Sequence, residues 1–185
     1  MSRVLLGISL CILAASLALA QPSPKAASPS PQCSDPAHRQ FDFWLGDWDT
    51  YRVGSTASVA RNQVTSILGG CVLHEVYTRS DGYTGESFTI YDSARKRWHQ
   101  SWVTNQGELL VAEGNKEGDK IVLTGSTLDK DGETLHRVTW LPVDGGVRET
   151  AEQSHDGGQH WQPEFDIVFR PSKRAQPDPV RLSGP

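Results

Sequence analysis

Some polar side chains in this chain lie on short segments that also carry large aromatic residues. Glu75 supplies a carboxylate and Arg148 a guanidinium, which would either pair with each other or hold the charged part of a ligand. Small-molecule sites in proteins are built from apolar and aromatic walls with a few polar groups that orient the ligand. The sequence therefore predicts a binding site lined by Glu75, Ser87, Gln100, Trp102, Trp140 and Arg148.

The alternative interpretation is that these six side chains form exposed pairs on the outside of a sheet. Successive side chains along a strand point to opposite faces, so a shift of one residue in register moves every side chain to the other face. The sequence alone does not determine which face is inside, and both interpretations stay open.

Residues 41–170 contain the elements that would position this site. Apolar and polar residues alternate over short segments, and turn residues such as Gly69-Gly70, Asp81-Gly82 and Asp131-Gly132 separate these segments. The sequence predicts ten strands, at residues 47–53, 59–67, 71–79, 84–92, 96–104, 108–114, 119–126, 133–142, 146–154 and 161–170.

Most connections between the predicted strands are about two to five residues long, which is the length of hairpin loops and too short for the helical crossovers of a parallel sheet. The predicted fold is therefore all-β, a single antiparallel up-and-down barrel of about ten strands. Closure of the barrel would remove the two free edges that invite aggregation. A sandwich of two sheets is the alternative, although it would more often contain a long connection between the sheets.

The two ends of the chain have a different composition. Arg3, an apolar stretch over 4–19 and the small-residue pattern Ala18-Leu19-Ala20 predict a signal peptide over residues 1–20, so we expect an exported protein with no membrane span in its mature form. A retained membrane anchor is the alternative. Pro and Ser dominate residues 21–32, which we expect to be a disordered linker, and residues 171–185 are a similar Pro-containing tail. The barrel domain is expected over 33–170.

Two cysteines remain after the signal peptide, Cys33 and Cys71. An even number in an exported chain favours a disulfide, and closing this loop would stabilise the fold by about 3–4 kcal/mol in the chain-entropy model. A metal-binding pair is the alternative, but two isolated cysteines without a nearby histidine make a poor zinc site.

The charge of the chain argues against nucleic acid as a partner. Eighteen Lys and Arg stand against 22 Asp and Glu, which gives a net charge of −4. No cluster of basic residues alternates with aromatic ones, as nucleic-acid-binding surfaces require. The oligomeric state is not predicted.

Nucleophilic and metal chemistry receive little support from the residue pattern. The chain has no Gly-x-Ser-x-Gly motif. His74, His99 and His136 fall on three predicted strands without the short spacing of a metal site. We therefore predict no catalytic residue, no bound metal and no cofactor, and Glu75 is no more than a candidate for acid–base work.

The segment 41–49 reads Phe-Asp-Phe-Trp-Leu-Gly-Asp-Trp-Asp. It resembles the opening block of an uncharacterised family of exported bacterial proteins, and further stretches over 68–71, 82–88 and 97–103 fit the same resemblance. The resemblance implies export and a shared fold, but that family has no established activity to carry over.

A wider resemblance is to the calycins, the superfamily of lipocalins and fatty-acid-binding proteins. Gly46-Asp47-Trp48 is similar to their Gly-x-Trp at the start of the first strand. The resemblance implies that Trp48 plugs the closed end of the barrel and that Arg170, at the end of the last strand, packs over it. Small ten-stranded barrels that resemble nitrobindin bind haem through a histidine, so haem binding is a further, weaker alternative.

Residues 154–161 match the Asp-box pattern Ser-x-Asp-x-Gly-x-x-Trp, which is known from sialidases and other propellers. The pattern implies that Asp156 and Ser154 hold the backbone of a hairpin turn while Trp161 packs beneath it. This role is structural, and a sialidase would need several copies in a longer chain.

Together these observations predict an exported, lipocalin-like barrel that binds a small, partly apolar molecule in its lumen without catalysis. The alternatives are an envelope interaction or structural protein with a filled barrel, and an enzyme that acts on a lipid-like substrate. A buried carboxylate beside a second titrating group would favour the enzyme.

Overall fold

The computed structural model describes residues 33–173, and these form an all-β fold. The strands are β1 (Gly46–Arg52), β2 (Ser58–Ile67), β3 (Val72–Arg79), β4 (Thr84–Asp92), β5 (Arg97–Thr104), β6 (Leu109–Glu117), β7 (Lys120–Asp129), β8 (Gly132–Val143), β9 (Gly146–Ser154) and β10 (Gln162–Pro171). Two single 3₁₀ turns, Asp42–Trp44 and Leu68–Gly70, complete the elements of this part of the chain. The predicted signal peptide and linker lie outside the described residues, as does the tail beyond residue 173.

The ten strands close into one antiparallel barrel in which every strand pairs with its neighbours in sequence and β1 pairs with β10. In that last pairing Thr50 lies opposite Phe169 and Arg52 lies opposite Ile167. The fold predicted from the sequence is confirmed, and the two-sheet sandwich is wrong.

Two glycines lie where β6 and β7 pair, at points where the backbone of the neighbouring strand approaches closely. A Cβ on Gly114 would lie 2.0 Å from the carbonyl oxygen of Val122, and one on Gly125 would lie 2.1 Å from that of Val111. Glycine in a strand marks places where another backbone approaches closely. These positions therefore bring the two strands closer together than any side chain would permit.

One end of the barrel is filled by the segment that precedes β1. Phe41 and Trp44 are fully buried and stack with ring centroids 5.2 Å apart. Phe41 also meets Trp98 and Trp140 edge-on, at centroid distances of 5.5 and 5.2 Å. Because aromatic side chains bury large areas, this cluster is the main hydrophobic core and closes that end of the lumen.

The disulfide predicted from the sequence is confirmed. Cys33 and Cys71 are bonded across a sequence separation of 38 residues. The bond ties the start of the described chain to the residue before β3, so it holds the segment that carries Phe41 and Trp44 against the barrel.

Trp48 is buried, but its predicted partner is elsewhere. The indole folds back over Gly46, where a Cβ would lie 2.5 Å from its Cε2, and its N–H donates to the carbonyl of Trp44 at 3.0 Å. Arg170 follows the inward-facing Phe169 and therefore points outward, where it donates to the carbonyl of Asp144. The prediction that Arg170 packs over Trp48 is wrong because the two side chains lie on opposite faces of the wall.

The C-terminal boundary of the barrel lies slightly beyond the predicted one. Pro171 ends β10, and the backbone N–H of Ser172 donates to the carbonyl of Asp47 at 2.8 Å. Within residues 33–173, no helix has the length and apolar character needed to cross a membrane.

Candidate functional site

A layer of polar side chains lies inside the barrel, next to the aromatic core. Alternation along β3, β4 and β5 places Glu75, Ser87 and Gln100 on the inner face, and each is at most 5% exposed. Three of the six residues predicted to line the lumen therefore meet in this layer. Trp140 is also inside, at 1% exposure, and Trp102 is half-buried on the same face of β5 as Gln100.

Glu75 is the centre of a hydrogen-bond network that spans four strands, β2 to β5. Its Oε1 accepts from Asn62 Nδ2 of β2 at 2.9 Å, and its Oε2 accepts from the Ser87 hydroxyl of β4 at 2.7 Å. Gln100 Nε2 of β5 extends the network by donating to the Thr89 hydroxyl at 3.0 Å. Because buried polar groups are costly without partners, this network fixes the side chains of the layer in one arrangement.

The surroundings of Glu75 favour its neutral form. Burial raises the pKa of Glu75 to about 7, although the hydrogen bonds from Ser87 and Asn62 lower it in part. No lysine or arginine in the described part of the chain forms an ion pair with Glu75. The carboxyl group therefore exchanges its proton near neutral pH, which is the range useful for proton-linked binding or acid–base chemistry.

A second carboxylate, Glu149, belongs to the same layer and was not selected from the sequence. It lies on β9 between the buried Val147 and Ala151 and faces Trp140 of β8 across the ladder. Burial, together with the negative charge of Glu75, raises the pKa of Glu149 well above its usual value. The two glutamates are therefore electrostatically coupled inside the barrel. The even spacing of Val147, Glu149 and Ala151 was the signal that could have identified it.

Arg148 does not belong to the site, which corrects the prediction from the sequence. It lies one residue away from Glu149 and therefore on the outer face of β9, where its Nε donates to Asp166 Oδ1 of β10 at 2.8 Å. The expected pair between Glu75 and Arg148 does not form because the wall of the barrel separates them.

Aromatic side chains form the wall beyond the polar layer. Tyr77 and Trp102 are both half-buried, and their rings meet edge-on at a centroid distance of 6.1 Å. Burial raises the pKa of Tyr77 to about 12; the positive charge of Arg79 lowers it in part, and the negative charges of Glu149 and Glu75 add to the increase. Its hydroxyl therefore remains a hydrogen-bond donor at neutral pH and lies within electrostatic reach of both carboxyl groups.

Two buried polar atoms of this layer have no hydrogen-bond partner within residues 33–173. They are the hydroxyl of Thr50 and Oδ1 of Asn62, whereas the indole N–H of Trp140 interacts with the Glu149 carboxyl group and lowers its pKa in part. The Thr50 and Asn62 side chains are fully buried. Leaving such groups unpaired costs about 1–3 kcal/mol each. The lumen therefore offers both donor and acceptor capacity that the described side chains do not use.

The histidines considered for metal or haem binding do not converge. His74 and His99 lie on the outer face, where they contact Glu86 at 2.7 Å and Glu113 at 3.0 Å. His136 contacts Glu164 at 3.2 Å instead. No group of three or more His, Cys, Asp or Glu within the described chain is arranged to hold a metal ion.

A separate polar cluster has the order of groups found in a Ser-His-Asp triad. Asp35 Oδ2 is 2.8 Å from His38 Nδ1, and the Ser93 hydroxyl is 3.2 Å from His38 Nε2. A triad also needs free N–H donors beside the nucleophile, but the two backbone N–H groups that follow Ser93 both donate to Asp92 Oδ1. This cluster therefore ties the N-terminal turn to the β4–β5 hairpin.

The Asp-box residues hold the turn between β9 and β10. Asp156 Oδ1 accepts from the backbone N–H groups of Gln159 and His160 at 3.0 and 2.9 Å. These bonds, with those from the His160 ring and Ser154, hold the pKa of Asp156 well below its usual value. The indole N–H of Trp161 donates to the carbonyl of Gly158 at 3.0 Å. None of these groups faces the polar layer.

Two features of the outer surface are distinct from the lumen. A groove of about 320 Å³ follows the seam between β1 and β10 and is lined in part by Tyr51, Arg52 and Val168. An exposed apolar patch covers the outer face of β4 to β6 and consists of Phe88, Ile90, Val103, Leu109 and Val111. The groove lacks a buried polar network like the one around Glu75, so the lumen is the better candidate for a specific site.

No protein-family model matches this chain, and no curated protein sequence matches it either.

Proposed function

We propose that this protein is an exported binding protein that holds a small, partly apolar molecule in the lumen of its barrel. The observation that carries the proposal is the buried network around Glu75, above which the wall is aromatic and only half-buried. A polar floor with aromatic walls would orient one polar end of a ligand and cover its apolar body.

The unpaired atoms of the polar layer support this proposal. If the barrel interior were only a packed core, its buried polar atoms would be expected to have hydrogen-bond partners or to be replaced by apolar groups. Apolar residues of the same size would pack there at a lower free-energy cost. A ligand that hydrogen-bonds to Asn62 Oδ1 and the Thr50 hydroxyl would offset the cost of burying them.

Export rests on two further observations. The leader-like pattern over residues 1–20 is typical of a secreted chain, and disulfides persist in oxidising compartments. A barrel that works outside the cytoplasm would capture a diffusible molecule and not a cytoplasmic intermediate.

The binding proposal is tested with the uncharged fluorophore N-phenyl-1-naphthylamine, whose emission increases in apolar surroundings. We expect the purified protein to bind it saturably. Leu110→Trp should abolish binding because Leu110 faces inward opposite Trp102. The matched control is Leu109→Trp, since the neighbouring side chain is 57% exposed on the outer face. Equal binding by both variants, or none by the parent protein together with bare masses in native mass spectrometry, would overturn the proposal.

A second candidate function is acid–base catalysis in the same lumen. The coupled pair Glu75 and Glu149 favours it, because two carboxyl groups of raised pKa can divide the roles of acid and base. The test is to incubate the protein with a molecule that it binds, to recover that molecule and to measure its mass, because a chemical conversion would change the mass. Conversion that is lost in Glu75→Gln would establish an enzyme, whereas recovery of the unchanged molecule supports binding alone.

A further inference from the structure

We propose that the lumen selects a small protonated amine with an aromatic or apolar body, whose ammonium group lies between Glu75 and Glu149 and whose body lies against Tyr77 and Trp102. This inference rests on the proposed binding function and names the chemical class of its ligand.

The charges of the layer favour a cation. Glu75 receives hydrogen bonds from two neutral groups, Asn62 and Ser87, and no side chain within residues 33–173 forms an ion pair with Glu75 or Glu149. Buried carboxylates are normally paired with a cation or kept protonated. Two of them on facing walls of one lumen would be neutralised together by a single ammonium group.

The unpaired polar atoms point independently to a ligand rich in N–H donors. Asn62 is fully buried, and its Oδ1 has no partner within the described chain while its Nδ2 is bonded to Glu75. The Thr50 hydroxyl, on the neighbouring strand, is also fully buried and unpaired there. An ammonium group has three N–H donors and no acceptor, so it can serve a carboxylate and a further oxygen at once.

The aromatic wall suits the same chemistry. Trp102 is half-buried, and its ring meets that of Tyr77 edge-on. Cations are attracted to the faces of Trp and Tyr, and the attraction grows where water is excluded. An anionic ligand would face both carboxyl groups, and the nearby basic side chain, Arg79 on the same face of β3 as Tyr77, is already paired with Asp81.

Protonation offsets the cost of burying the two carboxyl groups when no cation is bound. Burial raises the pKa of both glutamates, so the site holds protons in the absence of a cation. A bound ammonium group would replace those protons, because it stabilises the ionised carboxylates. Amine binding should therefore release protons and strengthen as the pH rises from 6 to 8.

Three ligands of one skeleton test the inference by displacement of N-phenyl-1-naphthylamine, with isothermal titration calorimetry as a second readout. They are 2-phenylethylamine, 2-phenylethanol and phenylacetate, which are cationic, neutral and anionic at pH 7.5. We expect the amine to bind at least about tenfold more tightly than the alcohol, since charge-assisted hydrogen bonds are stronger than neutral ones, and phenylacetate to bind more weakly than both.

Glu149→Gln and Glu75→Gln should each weaken the selectivity of the site. In each variant the affinity for the amine should exceed that for the alcohol by no more than about threefold. Binding of the alcohol and of the fluorophore should remain, which shows that the variants fold. Glu152→Gln is the matched control, because Glu152 lies on the same strand as Glu149 but faces outward to Arg137 at 2.9 Å. It should keep the full preference.

The outcomes separate this inference from the proposed function. Binding of amine and alcohol with equal affinity, or an amine preference that survives in both glutamine variants, overturns the amine site and leaves lumen binding intact. Failure of the fluorophore and of all three ligands to bind overturns lumen binding and the amine site together.

Discussion

The indole of Trp102 lies directly over Gly85 on the neighbouring strand. A Cβ on Gly85 would come within 2.3 Å of Trp102 Cζ2 and 2.4 Å of Cη2, so no other residue fits beneath the ring without moving it. Tyr77, which lies opposite Gly85 on the β3–β4 ladder, meets the indole of Trp102 edge-on at a centroid distance of 6.1 Å. The absence of a side chain at Gly85 therefore sets the position of the aromatic wall and the width of the proposed site.

We expect Gly85→Ala to destabilise the protein by about 1–3 kcal/mol, because overpacking forces neighbouring side chains out of their preferred positions. It should also weaken ligand binding, because the displaced indole would narrow the lumen. Urea denaturation measures the first effect and displacement of the fluorophore the second.

A double-mutant cycle supplies the control for this interpretation. In a Trp102→Leu background, Gly85→Ala should change stability by less than about 0.5 kcal/mol, because the side chain that it strikes is gone. A full destabilisation in that background would mean that the cost arises elsewhere in the strand.

Glu75 should make the stability of the protein fall as pH rises toward neutrality. Burial raises its pKa from 4.5 to about 7, so between these values the folded protein keeps a proton that the unfolded chain has released. The free energy of unfolding is therefore highest below pH 4.5 for this group and decreases by about 3 kcal/mol by the time pH passes 7. Glu149, which faces the same lumen, contributes with the same sign.

Glu75→Gln should remove much of that decrease and raise stability at pH 8, because the neutral amide avoids an unpaired buried charge. Its N–H group can donate to the otherwise unpaired Asn62 Oδ1 after rotation of that amide. Urea denaturation at pH 5, 6, 7 and 8 gives the slopes for both proteins. An unchanged slope in the variant would show that Glu75 titrates normally in the folded state.

The strands could be predicted from the sequence because each hairpin carries its own local signals. The segments 84–92 and 146–154 were predicted with the bounds that β4 and β9 have, and most others differ by one or two residues at an end. Short connections then leave few topologies other than a meander, and pairing of β1 with β10 satisfies the last two edges.

The inward face of each strand is harder to predict, because charged residues occur at alternate positions that point to both faces of the sheet. On β9 Arg148 and Glu149 offer one charged candidate for each face, and the prediction that Arg148 faces inward is wrong. The deciding facts are long-range, since Arg148 pairs with Asp166 on β10 and Glu149 faces Trp140 on β8. The same kind of one-residue offset separates Trp48 from Arg170.

The disulfide should contribute substantially to stability because it closes a long loop. With a separation of 38 residues between Cys33 and Cys71, the chain-entropy model gives about 3–4 kcal/mol. The variant Cys33→Ser/Cys71→Ser should lose that amount in urea denaturation of the oxidised protein. Reduction of the parent protein should reproduce the loss, whereas the variant should not respond to the reductant. A variant as stable as the oxidised parent would show that the lead-in segment is held by packing alone.

Phe41 should be the most sensitive position of the segment that fills the closed end. Its side chain is fully buried against Trp44, Trp98 and Trp140, so Phe41→Ala leaves a cavity among three large rings and should cost about 3–5 kcal/mol. Phe88→Ala is the matched control, because Phe88 is 47% exposed on the outer face, and it should cost less than about 1 kcal/mol. Urea denaturation followed by tryptophan fluorescence measures both variants. Equal stability of the two variants would show that the strands hold this end of the barrel without the aromatic cluster. Because the cluster around Phe41 closes the lumen at that end, Phe41→Ala should also release a bound fluorophore faster than the parent protein.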